Sequence, residues 1–462
     1  MSFARYLKYK DSGVEWLGEV PAHWEIKRIK HLVVTLEQGW SPQCEGFPVQ
    51  SEEGWGVLKV GCVNGGIFRP QENKALPAEL EPIAELGLAA GDLLISRANT
   101  RELVGGAAVA LQDYPRLMLC DKLYRIRLHC DFCEPVFLAL YLGSDRVRGQ
   151  IELAATGASS SMLNIGQSTI LELQFAVPPL NEQQEILKTV ARQMETIDAL
   201  VAEQEKLIAL LKEKRQAVIS HAVTKGLDPS VPMKDSGVEW LGEVPGHWEI
   251  KRIKHLVLTL EQGWSPQCEG FPVQSDEEWG VLKVGCVNGG VFRPEENKAL
   301  PPELEPVPEL GLVAGDLLIS RANTRELVGG AAVILQDYPR LMLCDKLYRI
   351  RFHPGFYEPE FLALYLGSDR VRGQIELAAT GASSSMLNIG QSTILELNFA
   401  VPLLDEQQQI LMAVAHQIEK TDALVEKSQS AITLLQERRT ALISAAVTGQ
   451  IDVRGFAPEK AA

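Results

Sequence analysis

Residues 181–226 read NEQQEILKTVARQMETIDALV (181–201) at the start and LLKEKRQAVISHAVTKG (210–226) at the end. Their apolar side chains recur at alternating spacings of three and four, the 3.5-residue period of a coiled-coil seam. Neither Pro nor Gly interrupts this pattern before Gly226. A helix over the seam would be roughly 54 Å long at about 1.5 Å per residue. Nine of the eleven seam positions are apolar: Leu187, Val190, Met194, Ile197, Val201, Gln204, Ile208, Leu211, Arg215, Val218 and Ala222.

A second seam with the same spacing lies 224 residues further along the chain, and eight of its eleven positions are apolar. A single apolar stripe is not stable in water. We therefore predict that the two helices pack on each other as a spacer between two domains. The alternative is that each helix packs only on its own domain. The second seam comprises Leu411, Val414, Ile418, Thr421, Val425, Ser428, Ile432, Leu435, Arg439, Leu442 and Ala446.

An internal repeat of whole domains dominates the remainder of the chain. Residues 11–180 align with residues 235–404 without gaps, and 152 of these 170 positions are identical. A period of this length describes two globular domains, each followed by its long helix, and not a solenoid. We expect globular domains at 1–180 and 227–404, a central spacer helix at 181–226, a distal spacer helix at 405–450 and a tail at 451–462.

Each domain is predicted to be a mixed α/β (α+β) globule of about 170 residues. Residues 93–96 and 107–111 are typical of strands, and residues 97–102 between them are predicted to form an exposed loop. Pro178 and Pro179 end the domain. The long helix is expected to start at Asn181, a favourable N-cap residue that the acidic Glu182 follows.

The composition is that of an ordinary globular protein, with 462 residues, 46% hydrophobic and 23% charged. No run approaches 18 apolar residues, so no membrane span is expected. The start of the chain has no apolar core of a signal peptide, and we place the protein in the cytoplasm. The net charge of −15 argues against non-specific coating of nucleic acid. It does not exclude local basic grooves.

The residues give no sign of catalysis or of a metal site. Cys130-Asp-Phe-Cys133 has the spacing of a metal or redox pair, but the second copy has Pro354 and Tyr357 at these positions. The chain contains no phosphate-binding GxxxxGK[ST] loop and no Asn-Pro-Pro-Tyr or Asp-Pro-Pro-Tyr motif. His23 is a lone histidine beside an acid, and a structural role is the better interpretation. We predict no catalytic residue, no metal site and no cofactor in this chain.

Three stretches, each present twice, carry a resemblance to a known family. They are DSGVEWLGEVP before a His-Trp pair, GDLLISRANTRELVG, and the VPPLNEQQEI segment that leads into the long helix. In this order they resemble the specificity (S) subunit of type I restriction–modification systems, and the resemblance covers nearly the whole chain.

The resemblance implies a non-catalytic subunit with two target-recognition domains joined by two antiparallel helices. Each domain would read one half of a bipartite double-stranded DNA site. The helices would dock two methyltransferase (M) subunits, which use S-adenosylmethionine to methylate adenine. Restriction (R) subunits would add cleavage driven by ATP and Mg²⁺, although a system that only methylates stays open. The alternative is a stand-alone two-domain DNA-binding regulator or architectural protein.

The near-identity of the two domains departs from the family's usual pattern, in which they differ. Identical domains related by a pseudo-twofold axis should read identical half-sites in inverted orientation. We therefore expect an interrupted palindrome whose spacer is set by the helix pair. The positions that differ between copies cluster at Gly54/Glu278, at 83–84/307–308 and at 128–136/352–360. We expect these clusters to lie off the DNA.

Candidate DNA-binding residues are polar loop residues that are identical in both copies. Arg can bind guanine and Asn can bind adenine through two hydrogen bonds, and Ser can contact phosphate or base. The group of Lys59, Asn64 and Arg69 is predicted to contact phosphate. The alternative for each Arg is a structural ion pair, for example of Arg97 or Arg101 with Glu102. The candidates are Arg97, Asn99, Thr100 and Arg101 (copies Arg321, Asn323, Thr324 and Arg325), Ser159, Ser160 and Ser161 (copies Ser383, Ser384 and Ser385), and Lys59, Asn64 and Arg69 (copies Lys283, Asn288 and Arg293).

The polar seam residues Gln204 and Arg215 have two possible roles. They could fix the register of the helix pair, or they could face an M subunit.

Overall fold

A computed structural model describes residues 3–51, 53–159, 162–353, 357–383 and 386–454. The chain divides into two compact units. The first unit joins residues 1–204 to residues 430–462, and the second unit is residues 205–429. Each unit therefore contains one globular domain and part of each long helix.

The two domains contain the same elements in the same order. In the first, these are β1 (Tyr9–Asp11), β2 (Glu19–Pro21), β3 (Glu25–Arg28), β4 (Val33–Gln38), β5 (Gly56–Leu58), β6 (Asn73–Ala75), β7 (Gly87–Leu88), β8 (Leu93–Ser96), β9 (Ala98–Asn99), β10 (Ala107–Val109), β11 (Tyr114–Met118), β12 (Leu123–Leu128), α1 (Pro135–Leu142), α2 (Asp145–Ala154), β13 (Thr156–Ser159), β14 (Met162–Asn164), α3 (Gln167–Leu171) and β15 (Gln174–Val177), followed by the long helix α4 (Leu180–Lys225).

The second domain repeats them as β16 (Met233–Asp235), β17 (Glu243–Pro245), β18 (Glu249–Arg252), β19 (Val257–Gln262), β20 (Gly280–Leu282), β21 (Asn297–Ala299), β22 (Gly311–Leu312), β23 (Leu317–Ser320), β24 (Ala322–Asn323), β25 (Ala331–Val333), β26 (Tyr338–Met342), β27 (Leu347–Phe352), α5 (Pro359–Leu366), α6 (Asp369–Ala378), β28 (Thr380–Ser383), β29 (Met386–Asn388), α7 (Gln391–Leu395) and β30 (Asn398–Val401). The second long helix, α8 (Leu404–Val447), follows.

The central sheet of the first domain is antiparallel, in the order β10-β8-β12-β4. The strand predicted at residues 93–96 is confirmed as β8, and all four of its residues are buried. Leu93 and Ile95 pack in one apolar cluster with α1 and α2, whereas Leu94 packs in a second cluster with β5 and β11. A strand covered on both faces needs an unbroken apolar run, which the sequence Leu-Leu-Ile provides.

A second sheet, in the order β6-β5-β11-β7, covers the face of the central sheet that lies away from α1 and α2. Its strands β5 and β11 are parallel, with Gly56 opposite Leu117. β6 pairs with β5 in the antiparallel sense, with Lys74 opposite Val57. Because parallel strands point the same way, the chain leaves β5 and β11 at the same edge of the sheet.

The prediction of an exposed loop at residues 97–102 is wrong in its first half. Ala98 is buried, and Ala98–Asn99 form β9, which pairs with β14 so that Asn99 lies opposite Leu163. The pairing partner lies more than sixty residues away, so no local pattern shows this strand. Arg101 and Glu102 are exposed, as expected.

The long helix α4 begins one residue before the predicted start. The carbonyl of Pro179 accepts hydrogen bonds from the backbone N–H groups of Glu182 (2.9 Å) and Gln183 (3.0 Å), so Asn181 lies inside the first turn. The buried Gln183 side chain accepts a bond from the backbone N–H of Glu134 and donates to the carbonyl of Phe132. These bonds fix the start of α4 against the segment that precedes α1.

The two long helices pack together within each unit, and their directions are opposite. In the first unit Ile186 and Val190 of α4 share a core with Ala446 and Val447 of α8. Further along α4, Asp198 lies 3.5 Å from Arg439, which precedes Ala446 on α8. As the numbers rise on α4 they fall on α8, as an antiparallel pair requires.

In the second unit Ala222 and Val223 of α4 share a core with Ile410 and Val414 of α8. Arg215 Nη1 lies 3.2 Å from Asp422 Oδ1. The seam residue Arg215 thus contacts the opposing helix. The mixed α/β architecture of two repeated domains, each followed by a long helix, is confirmed.

Both described ends of the chain lie in the first unit and are hydrogen-bonded to each other. The backbone N–H of Asp452 donates to the carbonyl of Ala4 (2.8 Å), and the Tyr9 hydroxyl donates to the carbonyl of Gln450 (3.2 Å). None of the helices in the described ranges is long and apolar enough to cross a membrane.

Candidate nucleic-acid interface

The fold brings together candidate residues that are far apart in the sequence. Asn99 Nδ2 donates to Asn64 Oδ1 across 3.4 Å, which joins the segment after β5 to β9. β9 pairs with β14, and β14 pairs with β13, in which Ser159 lies opposite Met162. Asn64, Asn99 and the backbone of Ser159, one member of each predicted group, therefore converge on one region of the domain. Of Ser159 and Ser383 only the backbone is described, and Ser160, Ser161, Ser384 and Ser385 lie outside the described residues.

The amide of Asn99 already has internal partners. Its Oδ1 accepts the backbone N–H of Thr100 (2.9 Å), and its Nδ2 donates to Ser96 Oγ (3.3 Å) as well as to Asn64. A bidentate contact with adenine uses both the oxygen and the nitrogen of the amide. To bind adenine, Asn99 would thus have to replace the two long hydrogen bonds of its Nδ2 atom with hydrogen bonds to the base. The Thr100 Oγ1 atom is buried and has no hydrogen-bond partner among the described residues.

Two of the predicted arginines, Arg69 and Arg97, donate side-chain hydrogen bonds to backbone carbonyls of neighbouring loops. Arg69 Nη1 donates to the carbonyl of Asn64 (2.7 Å). This bond closes the turn at Gly65 and Gly66, whose φ values of 74° and 76° favour glycine. Arg97 Nη1 donates to the carbonyl of Asp121 (3.2 Å).

Arg101 differs from these two arginines. It is exposed, and it makes no hydrogen bond or ion pair with any residue that the structure describes. The suggested pairing of Arg97 or Arg101 with Glu102 is absent from the described contacts. Arg101 therefore presents a free guanidinium group beside β9.

A basic cleft lies at the edge where the parallel strands β5 and β11 end. Lys59 follows β5, Asp121 and Lys122 follow β11, and Lys74 projects from β6; all four line a cleft of about 340 Å³. Lys59 Nζ lies 3.5 Å from Glu72 Oε2. Sequence reasoning missed Lys74 and Lys122, because only the pairing of β5 with two strands places them beside Lys59. Their identity in both copies was the one available signal.

The second domain reproduces these hydrogen bonds and the pairing of a lysine with a glutamate. Asn323 Nδ2 lies 3.3 Å from Asn288 Oδ1, and Asn323 Oδ1 accepts the N–H of Thr324 (2.9 Å). Arg321 donates to the carbonyl of Asp345 (3.1 Å), and Lys283 lies 3.7 Å from Glu296. Arg293 borders the turn at Gly289. Arg325 is exposed, like Arg101.

The clusters that differ between copies lie in different parts of the domain. The segment around Cys133 belongs to the core on the α1 side of the central sheet, whereas the cleft lies on the other side. Ile83 contacts Met118 of β11, because its backbone N–H donates to the Met118 sulfur (3.2 Å). That the differing clusters lie off the DNA stays a prediction.

The other ionisable groups in the first domain have structural roles and form no catalytic or metal-binding arrangement in the described residues. His23 Nε2 lies 2.7 Å from Glu182 Oε2. Burial raises the pKa of the Cys120 thiol to about 11 and that of Cys133 to about 12, so neither supplies a thiolate near neutral pH. Within the described residues, no group of three His, Cys, Asp or Glu side chains could hold a metal ion.

Comparison with known proteins finds relatives among the specificity subunits of type I restriction enzymes. No protein-family model matches the chain. The type I restriction enzyme EcoEI specificity subunit of Escherichia coli is 31% identical over 182 residues, which are 39% of this chain and 31% of that protein. The putative type I restriction enzyme MjaX specificity subunit of Methanocaldococcus jannaschii is 22% identical over 452 residues. That match covers 95% of this chain and 96% of the relative.

Solved structures show the same fold. The HsdS subunit from Thermoanaerobacter tengcongensis matches with a TM-score of 0.52 at 17% identity, over 94% of this chain and 98% of that chain. A chain from a study of complex assembly and conformational transition of the type I restriction–modification system matches with a TM-score of 0.62 at 17% identity. It covers 93% of this chain and 98% of its own length. At this identity the likeness concerns the fold alone.

Proposed function

Because the chain belongs to the family of type I restriction enzyme specificity subunits, we propose that it selects the DNA site for a type I restriction–modification complex. Specificity subunits are the non-catalytic parts of these enzymes, and this chain is accordingly not an enzyme on its own. The observation that carries the proposal is the full-length match to the MjaX subunit, which includes both domains and both long helices.

Each domain is proposed to read one half of a bipartite site through the region where β9, β14 and the segment after β5 converge. Arg101 and Arg325 are the strongest candidates for base contacts, because their side chains are exposed and make no hydrogen bond or ion pair with the residues that the structure describes. A free guanidinium can donate two hydrogen bonds to guanine in the major groove. Arg97, Asn99 and Arg69 support this loop through their internal bonds.

The target is proposed to be an interrupted palindrome. The two domains are identical at 152 of 170 aligned positions, and the contacts of Asn99 and Arg97 recur at Asn323 and Arg321. Equal domains on antiparallel helices would read equal half-sites in opposite directions. The exposed sides of α4 and α8 would dock two M subunits, which bring S-adenosylmethionine. R subunits, with ATP and Mg²⁺, would complete a restricting complex.

Genome-wide mapping of methylated adenine, with the gene intact and deleted, tests the proposal. Loss of a methylated interrupted palindrome on deletion is the expected result. Loss of an asymmetric bipartite motif would keep the recognition function but refute the symmetric target. An unchanged methylation pattern, in a host that expresses the chain together with an M subunit, would refute the function itself.

A further inference from the structure

We propose that the cleft at the ends of β5 and β11 binds phosphates of the DNA backbone, and that Lys74 and Lys122 (copies Lys298 and Lys346) are its phosphate-binding groups. This inference rests on the proposed DNA-recognition function and assigns a ligand to a cleft outside the predicted base-reading loop. The bound chemistry is the phosphodiester of duplex DNA, and the lysines position the domain without reading sequence.

The first argument is that these lysines lack partners. Lys74 and Lys122 have no carboxylate within ion-pair distance among the residues that the structure describes, and the same holds for Lys298 and Lys346. The chain has 45 basic and 60 acidic residues, so carboxylates are plentiful. Two unneutralised ammonium groups line one cleft in the first domain, and lysines recur at the matched positions of the second domain. Such a pair is favourable for an anion that comes from outside.

The second argument is the charge balance around the cleft. Three lysines, Lys59, Lys74 and Lys122, line it against a single carboxylate, that of Asp121. Glu72 and Glu45 lie near its rim. Glu72 faces Lys59. The Asp121 carboxylate accepts a hydrogen bond from the Ser41 hydroxyl, whose oxygen accepts the backbone N–H of Asp121 at 3.1 Å. The side chains that line the cleft are therefore net positive in a chain whose net charge is −15.

The third argument is the shape and chemistry of the cleft. Its walls include the apolar residues Val57, Leu58 and Cys120, along which the aliphatic stems of lysine can lie while their ammonium groups stay at the rim. Lysine is a compact point charge with no acceptor atom, which suits a phosphate better than the patterned edge of a base.

The fourth argument is the link to the base-reading loop. The backbone N–H of Arg97 donates to the carbonyl of Lys122 (2.8 Å), and the Arg97 side chain bonds the carbonyl of Asp121. A phosphate held by Lys122 is therefore coupled through two hydrogen bonds to the residue that precedes β9. Binding at the cleft would set the register in which Arg101 meets the bases.

The test compares paired lysine variants of the full-length chain in complex with its M subunits. The variants are K122Q/K346Q and K74Q/K298Q, and the matched control is K27Q/K251Q. The control removes the same number of charges from β3 and β18, and Lys27 lies over Phe132 on the α1 side of the central sheet. Binding to a duplex with the methylated motif, and to one without it, is measured across a salt series.

The expected result is a uniform loss of affinity with unchanged sequence preference. Each lost phosphate contact makes the negative slope of log K against log salt less steep by about 0.9. The slope of each double variant should therefore be less steep by about 1.8. This corresponds to a roughly 10- to 100-fold weaker complex near 0.1 M salt on both duplexes. K122R/K346R should keep the original slope, and the control should match the unmodified chain.

Two results would overturn the phosphate site. One is a slope that stays unchanged in both lysine variants while the complexes assemble normally. The other is a loss of affinity for the duplex with the motif alone, which would mean that the lysines contact bases. An unmodified complex that does not distinguish the two duplexes would refute the proposed function, and the slopes on either duplex would still decide the phosphate site.

Discussion

Replacement of Glu182 by Ala should destabilise the first unit more than replacement of its copy, Glu406, destabilises the second. The Glu182 side chain is 4% exposed and accepts the indole N–H of Trp24 at 3.0 Å. His23 Nε2 lies at 2.7 Å and Arg454 at 3.6 Å from its carboxylate. The guanidinium of Arg454 also lies over the ring of Tyr6, 4.8 Å from its centroid.

The magnitude follows from what the substitution leaves behind. The buried indole N–H of Trp24 would lose its acceptor, at a cost of about 1–3 kcal/mol, and a hydrogen bond to a charged group contributes about 1.5–3 kcal/mol. Arg454 is 38% exposed, so its pair with Glu182 adds only about 0–1 kcal/mol. Because these terms overlap, we expect Glu182→Ala to cost about 3–5 kcal/mol in the first unit.

Glu406 provides the matched comparison within the same chain. It bonds His247 (2.8 Å) and Trp248 (3.0 Å), but its side chain is 25% exposed. The position that corresponds to Arg454 is Ser230. Because water can replace part of the lost bonding, Glu406→Ala should cost about 1–2 kcal/mol. Both acids lie in the first turn of a long helix, so the helix-dipole term cancels in the comparison.

Amide hydrogen exchange, followed peptide by peptide, is the suitable assay because a chain of two units need not unfold in one step. The opening free energies near residues 180–190 and 404–414 are compared between each variant and the unmodified chain. Equal losses in the two units, or a larger loss in the second, would refute the reasoning that burial and Arg454 set the difference.

Three further predictions concern the helix pair, a tight contact and a thiol. Arg215→Asp should weaken the helix pair by about 0.5–1 kcal/mol, and adding Asp422→Arg should restore it; a double-mutant cycle with no coupling would contradict the pairing. Gly105→Ala should destabilise the first unit by about 2–4 kcal/mol, because the φ of 76° is strained for Ala and the new methyl group would overlap Ile151. Denaturant unfolding that matches the unmodified chain would refute this. Cys130, the exposed cysteine, should react first with a maleimide at neutral pH, and C130S should abolish that fast phase.

The pattern of apolar residues predicts the long helices and the strand β8, because both depend on a period within one stretch. It does not predict β9, whose existence depends on pairing with β14 more than sixty residues away. The start of α4 differed by one residue because the carbonyl of Pro179, and not the side chain of Asn181, bonds the first turn. Local sequence therefore gives the long elements better than their ends or the short strands.

The candidate interface shows the same limit. The residue types of Arg97, Asn99 and Arg101 predict DNA contact equally well, yet Arg101 alone of the three has no side-chain partner within the described ranges. Which polar groups are used internally depends on neighbours such as Asn64 and Asp121, which the fold supplies. Lys74 joins the cleft because β6 pairs with β5, and no spacing in the sequence indicates that pairing.

The division of the chain has a consequence for its synthesis. The second unit is continuous, from residue 205 to residue 429, whereas the first joins residues 1–204 to residues 430–462. On the ribosome the first domain emerges before the second unit, but the partner of its half of α4 emerges after the second unit. Ile186 and Val190 therefore lack their packing partners Ala446 and Val447 until the whole second unit has been synthesised. Exposed apolar surface on a growing chain favours aggregation, so this interval is the point at which the nascent protein is most vulnerable.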